Sequence, residues 1–355
     1  MTAVRVLHVA GRTPYARKLH DANIRIINGT TVDGLEIPRD VTLDWVLAHR
    51  PWELLDAVHM HHPDFDTVEH LRLAMSECRR AGKRSIFTVH DLDPIFGSRV
   101  SHQRRLRALA KCCAQLVCLT HEANENVRRR FGTNTVMAPH GYVSAPGTFE
   151  RRPDREFGAP TRFLVYGSLR QNRDVELLVA TWRYARNLKD TTLHLLLRAP
   201  SRASLVEDRD AWRAIREHSA DPRLSVDVLP FPNDADVNEA VAASDCLVLP
   251  YRWASHSGQL EHAFDLGVLP VASLTGYLAE QVALHDGLAP EPVWFDWTAT
   301  SPFAHGAELL RALQTAHAMI QNGWRAEYAD KFADHRRREH LDIMGIHHAV
   351  YESVR

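Results

Sequence analysis

Apolar residues along the chain follow two periods, because short apolar runs alternate with longer segments of helical spacing. In the first part of the sequence, five apolar runs predict β-strands at 4–9, 57–61, 84–90, 115–120 and 135–138. Four segments with apolar residues three or four positions apart predict helices at 42–50, 67–81, 101–113 and 121–131. Strands that alternate with helices are typical of a doubly wound parallel sheet with helices on both faces.

A second alternating series follows a segment of different composition. After His140 the sequence reads GYVSAPGTFERRPDREFGAPT, which is rich in Pro, Gly and charge and has no period, so it predicts an interdomain linker. Beyond it, apolar runs predict strands at 163–166, 191–197, 224–229, 246–249, 268–273 and 292–295. The clearest helices of this series are predicted at 175–187 and 240–243, and the stretch 303–355 is helical and rich in Arg and His.

The two series predict two Rossmann-like α/β domains in tandem with a helical C-terminal segment. A chain of 355 residues is too long for one ordinary core and suits two domains of about 150 residues each. The predicted bounds are 1–145 for the first domain, 146–160 for the linker, 161–325 for the second domain and 326–355 for C-terminal helices that cross back to the first domain.

Composition narrows the class of protein. The chain has 43 Lys and Arg against 44 Asp and Glu, so no global field favours nucleic acid or an acidic membrane surface. Its five cysteines lack CxxC spacing, which indicates reduced thiols in a cytoplasmic protein. The start MTAVRVLHVAG lacks the features of a signal peptide, and no apolar run approaches the length of a membrane span. We expect a cytoplasmic protein without a transmembrane segment, for which a peripheral membrane contact stays open.

Two nucleotide-binding motifs are absent from the loops where they would be expected. The first predicted strand is followed by Ala10-Gly11-Arg12-Thr13-Pro14, and the strand at 163–166 is followed by Gly167-Ser168-Leu169-Arg170. Neither sequence is the GxGxxG of dinucleotide-binding enzymes, and the chain has no Walker A sequence. Dehydrogenases, flavin enzymes and P-loop ATPases are therefore disfavoured.

The junction LPYRWASHSGQLEHAFDLGVLPVAS at 249–273 is a strand, a loop, a helix and a strand. Ser257 and Gly258 lie where the helix begins, at the carboxyl end of a predicted parallel strand, where the free N–H groups and the helix dipole favour an anion. The alternative is that Ser257 is only an N-cap and Gly258 only a tight-turn residue. Arg170 and Arg173 follow another strand end, and together with this helix start they would neutralise a diphosphate.

Six segments, in this order and spacing, resemble the GT-B glycosyltransferases, and within them the retaining enzymes of glycosyltransferase family 4. The segments are VHMHHPD at 58–64, FTVHDLDP at 87–94, APHGYV at 138–143, FLVYGSLRQNRD at 163–174, FPNDADVNEAVAASDCLVLPYR at 231–252 and SHSGQLEHAFDLGVLPVASLTGYLAE at 255–280. The resemblance implies two Rossmann-like domains facing a central cleft, with the acceptor in the first domain and a nucleotide-diphosphate sugar in the second. It also implies no cofactor and no obligatory metal ion.

The resemblance assigns residues to both substrates. Arg173 takes the place of the diphosphate-binding Lys, residues 257–259 bracket the diphosphate, and the loop 231–237 lines the base. The full donor-binding set that we predict is Gly11, Arg12, Arg170, Arg173, Phe231, Tyr251, Ser257, Gly258, Gln259 and Glu261. His90, at the Thr-x-His position, lies near the transferred sugar, and we expect His90 and Asp91 to act at the reacting centre.

The remaining histidine-rich segments suggest acceptor contacts. His62 ends a predicted strand and is assigned to the acceptor site, whereas His59 and His61 share the other strand face. Because these histidines are divided between two faces and have no cysteine nearby, we do not predict a metal site. His140 is assigned to the acceptor site, although a role as a turn or hinge residue stays open.

The sequence departs from the family pattern at positions that bear on the donor. Ser168 stands where the first Arg of a basic pair is usual, with Arg170 as the substitute, and Asp174 replaces a usual Gly. The two positions of a customary Glu pair hold Ala254 and His262, with Glu261 one place early. Glu261 is either a shifted ligand of the ribose or a first-turn carboxylate favoured by the helix dipole.

These observations together predict a glycosyltransferase that moves a hexose-type unit from a UDP- or GDP-sugar to an acceptor hydroxyl of a glycan, a lipid-linked saccharide or a small natural product. Retention of the anomeric configuration is implied by the resemblance alone. Two alternatives stay open: a nucleotide-sugar epimerase or hydrolase of the same fold, and a non-catalytic subunit that binds a nucleotide sugar. The missing Glu pair is the feature that keeps the second alternative open.

Overall fold

The chain divides into two α/β units, each built on its own parallel sheet. In the computed structural model the described residues are 3–11, 13–64, 66–146, 158–185, 187–200, 208–230, 232–297, 301–327 and 329–352. Unit 1 comprises Met1–Gly141 and Arg337–Arg355, and unit 2 comprises Tyr142–Arg336. The end of the chain therefore folds with the first unit rather than with the second.

Unit 1 has a six-stranded sheet in the order β2-β1-β5-β6-β7-β8, in which every neighbouring pair is parallel. Its strands are β1 Val4–Val9, β2 Ile24–Ile26, β5 Ala57–Met60, β6 Arg84–Val89, β7 Gln115–Cys118 and β8 Thr135–Met137. A small antiparallel hairpin, β3 Thr31–Val32 and β4 Leu35–Glu36, stands apart from this sheet.

The helices of unit 1 connect these strands, and most begin at a hydroxyl-bearing cap. They are α1 Pro14–Arg17, α2 Leu43–His49, α3 Val68–Arg80, α4 Arg99–Cys112 and α5 His121–Phe131, with a 3-10 turn at Trp52–Leu54. The side chains of Thr42, Thr67, Ser98 and Thr120 each accept a hydrogen bond from a first-turn N–H of the helix that follows. A side-chain oxygen at this position satisfies one of the N–H groups that a helix leaves unpaired at its start.

Unit 2 repeats the architecture with the strand order β11-β10-β9-β12-β13-β14, again all parallel. The strands are β9 Thr161–Gly167, β10 Thr191–Arg198, β11 Leu224–Leu229, β12 Cys246–Leu249, β13 Leu269–Leu274 and β14 Val293–Asp296. The helices are α6 Val175–Tyr184, α7 Arg209–His218, α8 Asp234–Ala243, α9 Gly258–Asp265, α10 Leu278–Ala283 and α11 Pro302–Gln321; a last helix, α12 Ala329–Glu352, ends the chain.

The central strands of unit 2 are apolar throughout because both of their faces are covered. Phe163 and Val165 of β9 belong to one hydrophobic cluster, whereas Leu164 between them belongs to another. In β12, Val248 and Leu247 divide in the same way. Alternate side chains of a strand point to opposite faces, so a continuous apolar run is what a central parallel strand requires.

The C-terminal helix α12 supplies part of the core of unit 1. Ile343 and Tyr351 are at most 5% exposed and belong to the cluster that also contains Val6 of β1 and Ile86 of β6. In the part of the chain that the structure describes, no helix is both long enough and apolar enough to cross a membrane.

Two helices of unit 2 differ in extent from the sequence-based expectation. Helix α6 ends three residues early because the guanidinium of Arg223 donates to the carbonyl oxygens of Trp182 (3.2 Å) and Ala185 (3.0 Å), which terminates the ladder from outside the helix. Helix α8 begins six residues before the predicted start at 240, where Asn233 and Asp236 form a reciprocal capping box. The pattern also missed β2, the β3–β4 hairpin and the short helix α1, and it gave no bounds for α7 and α10.

Candidate functional site

The predicted donor residues of unit 2 follow neighbouring strands at one edge of the sheet. Strand β9 ends at Gly167 and pairs with β12, which ends at Leu249. After β12 the chain passes through a short loop into α9, which begins at Gly258. The carboxyl ends of parallel strands are where open α/β sheets bind ligands, so this edge is the candidate site of unit 2.

Ser257 is the N-cap of α9, a role that is compatible with both alternatives left open by the sequence. Its hydroxyl accepts from Leu260 N at 3.1 Å and lies 3.0 Å from the hydroxyl of Tyr251, and its own N–H donates to Gln281 Oε1 at 2.8 Å. Two hydrogen bonds therefore hold the buried side chain, and a third holds the backbone of the same residue. Gly258 and Gln259 then provide the opening N–H groups of the helix, for which no carbonyl precedes them within the helix.

Arg173 lies beside this helix start, with its guanidinium against backbone oxygens of the loop after β9. Its Nη1 donates to Tyr166 O at 3.0 Å and to Ser168 O at 3.4 Å. Its Nη2 is 3.4 Å from Tyr251 Oη, and its guanidinium carbon is 5.4 Å from the centre of the Tyr251 ring. Among the described residues Nε of Arg173 is buried without a hydrogen-bond partner. The positive charge is thus held in a fixed position at the sheet edge.

Gln259 and Gly167 complete this group. The Gln259 amide donates to Tyr166 O at 2.8 Å, so Gln259 and Arg173 share one backbone acceptor. Gly167 has a φ of 99°, and a Cβ there would lie 3.3 Å from both Arg173 Nη1 and Gln259 Nε2. Glycine therefore gives the left-handed backbone and leaves room for the two donors. Four predicted donor residues, Arg173, Tyr251, Ser257 and Gln259, are brought together here.

Arg170 stands in the same loop, and its carbonyl oxygen accepts from Arg173 N at 2.8 Å. Its side chain is half-buried. The backbone turn from Arg170 to Arg173 therefore sets the position from which the Arg173 side chain reaches the sheet edge. Whether Arg170 binds the donor stays a prediction.

Glu261 occupies a buried position one turn into α9, where it is 2% exposed. Its carboxylate accepts from Gln281 Nε2 at 2.6 Å, from His285 Nε2 at 3.1 Å and from Arg336 Nη2. Arg336 Nε also donates to Asp265 Oδ1 at 2.9 Å, so one buried guanidinium links two buried carboxylates. The structure gives Glu261 a set of partners within unit 2, and its assignment to the ribose stays a prediction.

His262 stands at one position of the customary Glu pair, and both of its ring nitrogens are hydrogen-bonded within unit 2. Its Nδ1 accepts from the hydroxyl of Tyr166 at 2.8 Å, and its Nε2 donates to Asn238 Oδ1 at 2.8 Å. Burial lowers the pKa of His262 to about 4, so the ring is neutral near pH 7. His262 therefore acts as a neutral bridge between β9 and α8.

Two predicted donor residues, Arg12 and Phe231, lie outside the described residues. Gly11, which precedes Arg12, packs tightly: a Cβ at Gly11 would lie 2.4 Å from the Cβ of His8. Glycine is therefore required at position 11, because a side chain there would collide with His8 of β1. A donor contact by Gly11 stays a prediction.

In unit 1 two of the predicted histidines contact one tyrosine, and the third stacks on one of these two histidines. The ring centre of Tyr15 lies 5.2 Å from that of His90 and 5.4 Å from that of His140, and His62 stacks on His90 at 4.9 Å. His90 follows the last residue of β6 and is only 5% exposed. The structure therefore brings His62, His90 and His140 together at the carboxyl end of the unit 1 sheet.

His140 and Asp91 also have local roles in the backbone. The carbonyl of His140 accepts from the buried Lys18 ammonium, and its Nδ1 lies 3.0 Å from Gly141 O. Gly141 has a φ of 68°, and a Cβ there would lie 2.6 Å from Ile343 Cδ1, so this turn requires glycine. The carbonyl of Asp91 accepts from His102 Nε2 at 3.1 Å.

Sequence reasoning missed several residues that line this histidine group. His8 of β1, Tyr15 of α1 and His347 of α12 are each at most 1% exposed. Tyr15 contacts His90 and His140, and His347 contacts Tyr15. His8 stacks on His61, which in turn lies 3.1 Å from His90. A His at position 8, between the apolar residues Leu7 and Val9 of the predicted strand, was the available signal for the first of them. Nothing local in the sequence indicates that α12 joins this group.

Comparisons with known proteins agree on the fold. No protein-family model matches the sequence, and no curated protein does. Among solved structures, the chain is similar to sucrose-phosphate synthase from Thermosynechococcus elongatus, with 13% identity and a TM-score of 0.67 over 99% of this chain and 100% of that one. It is similar to Anabaena HepE in complex with UDP and glucose, with 12% identity and a TM-score of 0.68 over 99% and 100% of the two chains.

A third solved structure, a glycosyltransferase from Rickettsia africae, is 11% identical, with a TM-score of 0.62 over 100% of this chain and 99% of that one. At such identities the likeness concerns the fold. It confirms the predicted fold class, two Rossmann-like domains of the GT-B type with a helical C-terminal segment. Membership of glycosyltransferase family 4 stays a prediction.

Proposed function

We propose that this protein is a glycosyltransferase that transfers a sugar from a nucleotide-diphosphate sugar to an acceptor hydroxyl. The observation that carries the proposal is the group at the carboxyl ends of β9 and β12, where Arg173, Tyr251 and the N-terminus of α9 lie together. A guanidinium and a helix N-terminus both attract an anion, and the diphosphate of a nucleotide sugar is an anion of the kind they bind.

The charge arrangement suits the departure of a nucleoside diphosphate. Negative charge develops on the leaving diphosphate in the transition state, and donors that are already fixed stabilise it without reorganisation. Arg173 is fixed by two backbone carbonyls, and the first N–H groups of α9 are fixed by the Ser257 cap. We infer that these groups replace a metal ion, so donor binding is metal-independent.

The nucleotide and the stereochemistry are finer parts of the proposal. HepE has been crystallised with UDP and with UDP-glucose, and this supports testing UDP-sugars before GDP-sugars. Retention of the anomeric configuration follows only from the resemblance to family 4. The five cysteines all carry free thiols, which supports a cytoplasmic location.

The second candidate is a non-catalytic subunit that binds a nucleotide sugar. Glu261 is already engaged by Arg336, His285 and Gln281, and the neighbouring His262 is neutral, so these two positions supply no obvious carboxylate for the ribose. This observation keeps the subunit as an alternative, because loss of a donor contact is what a degenerate enzyme would show.

The first experiment is a thermal-shift screen of UDP, GDP and their sugars, each with Mg²⁺ and with EDTA. A ligand at 100 times its Kd stabilises the folded state by about 2.7 kcal/mol, so a true ligand raises Tm clearly. We expect a nucleoside diphosphate to stabilise the protein equally in both buffers. An absolute requirement for Mg²⁺ or Mn²⁺ would contradict metal-independent binding.

The second experiment separates the candidate functions. Purified protein is incubated with the stabilising nucleotide sugar, with and without an acceptor pool of glycans and lipid-linked saccharides, and free nucleoside diphosphate is measured. Release only with acceptor supports transfer, release without acceptor supports a hydrolase, and binding without release supports the subunit. Conversion of the sugar without release would indicate an epimerase.

A further inference from the structure

A row of buried imidazoles crosses the sheet of unit 1 and ends at His90. His8 lies on β1 and His61 directly follows β5, and β1, β5 and β6 are neighbours in the sheet. His8 Nδ1 is 2.7 Å from His61 Nε2, and His61 Nδ1 is 3.1 Å from His90 Nε2. The three side chains are 1%, 0% and 5% exposed, so water does not compete for these hydrogen bonds.

Each of the first two rings has a single N–H to donate. Burial lowers the pKa of His8 to about 3 and the pKa of His61 well below its ordinary value, so both rings are neutral at physiological pH. A neutral imidazole carries one N–H and one bare nitrogen. Since both nitrogens of His61 are hydrogen-bonded, one donates and the other accepts, and the row runs in one of two directions.

The distal nitrogen of His8 selects the direction. His8 Nε2 is buried and has no hydrogen-bond partner among the described residues. If His61 donated to His8, the proton of His8 would lie on Nε2, where none of the described residues accepts it. If His8 donates to His61, Nε2 keeps only a lone pair. Buried N–H groups without an acceptor are rarer and more costly than under-used acceptors, so His8 is the donor.

We propose that His8 and His61 are positioning residues that hold His90 in one tautomer, with its proton on Nδ1. His8 Nδ1–H donates to His61 Nε2, and His61 Nδ1–H donates to His90 Nε2, which leaves Nδ1 as the donor of His90. Hydrogen bonds from a neighbouring group set the tautomer of a functional histidine in the same way at many sites. The inference rests on the proposed function, in which His90 donates a hydrogen bond to an oxygen of the transferred sugar.

A metal ion is the competing explanation for this cluster. His8, His59 and His61 each place one ligand atom within 4.8 Å of the others. However, their rings stack, at 4.4 Å for His59 and His61, and His59 uses both nitrogens on Tyr351 Oη (2.6 Å) and Thr88 Oγ1 (2.7 Å). Hydrogen bonds therefore already account for both nitrogens of His59 and of His61.

His59 provides a matched control for His61. Both are fully buried, both have a pKa lowered by burial, and they lie two residues apart on the same face. The hydrogen bonds of His59 go to Tyr351 and Thr88 and not to the row that ends at His90. His61→Phe and His59→Phe therefore perturb the core alike, but only the first removes the donor to His90.

The test is the tautomer of His90, measured by long-range ¹H–¹⁵N correlation on protein labelled at histidine, with His90→Asn to assign the signal. We expect the proton on Nδ1 in the native protein and in His59→Phe, and a shift toward Nε2 in His61→Phe. A native proton on Nε2, or an unchanged tautomer in folded His61→Phe, would overturn the proposal. Stoichiometric zinc in the purified native protein would also overturn it. The native measurement needs no variant to fold.

Turnover gives a second readout. We expect His61→Phe to lower kcat by about tenfold or more with an unchanged KM for the donor, because second-layer partners of a functional histidine have effects of that size. His59→Phe should keep kcat near the native value, and His61→Gln, whose amide retains an N–H, should recover part of it. If kcat of His61→Phe fell no more than that of His59→Phe, the positioning role would be wrong. Absence of any native turnover would count against the proposed function and leave the tautomer result intact.

Discussion

At the scale of single residues, the substitution at position 174 is compensated locally. Asp174 adds a negative charge close to the predicted diphosphate position, where a glycine is usual in the family that the sequence resembles. Its Oδ1 accepts from Leu177 N at 2.9 Å and caps α6, and its Oδ2 accepts from Arg252 at 2.9 and 3.0 Å. The carboxylate thus serves a helix start and an ion pair, so its charge is compensated beside the anion site.

Replacement of Arg173 tests the charge at this edge. We expect Arg173→Ala to weaken binding of nucleoside diphosphate by about 10- to 100-fold, because one lost charge-assisted contact is worth about 1.5–3 kcal/mol. Arg170→Ala is the control from the same loop and should weaken binding less. Isothermal titration of both variants, after circular dichroism has shown that they fold, measures the difference. Equal losses of affinity in the two variants would contradict the prediction that Arg173 contributes more to binding than Arg170.

Gly276 is a residue whose backbone fixes the loop before α9. Its φ is 55°, and a Cβ there would lie 1.7 Å from the carbonyl oxygen of Ala254. We expect Gly276→Ala to reduce stability by about 3 kcal/mol, the sum of left-handed strain and overpacking. Gly287→Ala is the matched control, since its φ is 75° and nothing lies within 4 Å of its Cβ. Urea unfolding should show a loss of about 1 kcal/mol for the control; similar losses would mean that the carbonyl contact does not matter.

At the scale of elements, a buried ion pair holds α4 to the strand exits of unit 1. Asp64, after β5, has its Oδ1 2.5 Å from His102 Nδ1, and His102 Nε2 donates to the carbonyl of Asp91 after β6. Both side chains are at most 4% exposed. The pair therefore links a helix to the two loops that carry His62 and His90.

The stability of unit 1 should depend on pH through this pair. Burial alone lowers the pKa of His102, but the hydrogen bonds and charges of Asp64 and Asp91 together outweigh burial and raise it above the ordinary value. A raised pKa means that the stabilisation is complete below about 6.5, the ordinary pKa of histidine, and is lost as pH rises through the folded pKa.

Asp64→Asn measures this contribution. The native protein should exceed Asp64→Asn in stability by about 1.5–3 kcal/mol at pH 6, and the difference should shrink above the folded pKa of His102. Urea midpoints at several pH values give the curve. A difference that stays constant from pH 6 to pH 9 would show that His102 does not titrate in this range.

At the scale of the whole molecule, unit 1 is formed by two separate parts of the chain, the N-terminal 141 residues and the C-terminal residues from Arg337 onward. Residues 337–352 of α12 lie in unit 1, whereas residues 329–336 of the same helix lie in unit 2. Arg336, the last residue of unit 2, links Glu261 and Asp265. One helix therefore contributes an ionic contact to unit 2 and apolar side chains to unit 1.

Two substitutions in α12 distinguish the loss of a buried side chain from a general effect of alanine on the helix. Ile343 is fully buried in the core of unit 1, whereas Leu341 is 70% exposed two residues earlier. We expect Ile343→Ala to destabilise unit 1 by about 2–5 kcal/mol through the cavity that it leaves, and Leu341→Ala to change stability little. Hydrogen exchange of the β1, β5 and β6 amides reports unit 1 directly. Normal protection of these strands in Ile343→Ala would place the helix outside the core of unit 1.

Most strands and their order of occurrence could be predicted from the sequence, because a central parallel strand must be apolar on both faces and therefore leaves a continuous apolar run. The start of α9 at Gly258, directly after the cap Ser257, was equally predictable, since a capping hydroxyl acts within three residues. The end of α6 was not, because Arg223, 38 residues beyond Ala185, donates to its last carbonyls. The local sequence pattern of a helix cannot indicate a hydrogen-bond donor that lies so far away in the chain.

The sequence by itself determined the two α/β domains and the residue types at the strand ends, through periodicity and local capping. Only the tertiary structure decided which of those residues meet. It joined Arg173, Tyr251 and Ser257 at one sheet edge, and it linked His90 to His61 and His8 through three adjacent strands. It also hydrogen-bonded the carboxylate of Glu261 to the buried side chains of Gln281, His285 and Arg336. These outcomes depend on strand order and on contacts between residues far apart in the chain, and local periodicity specifies neither.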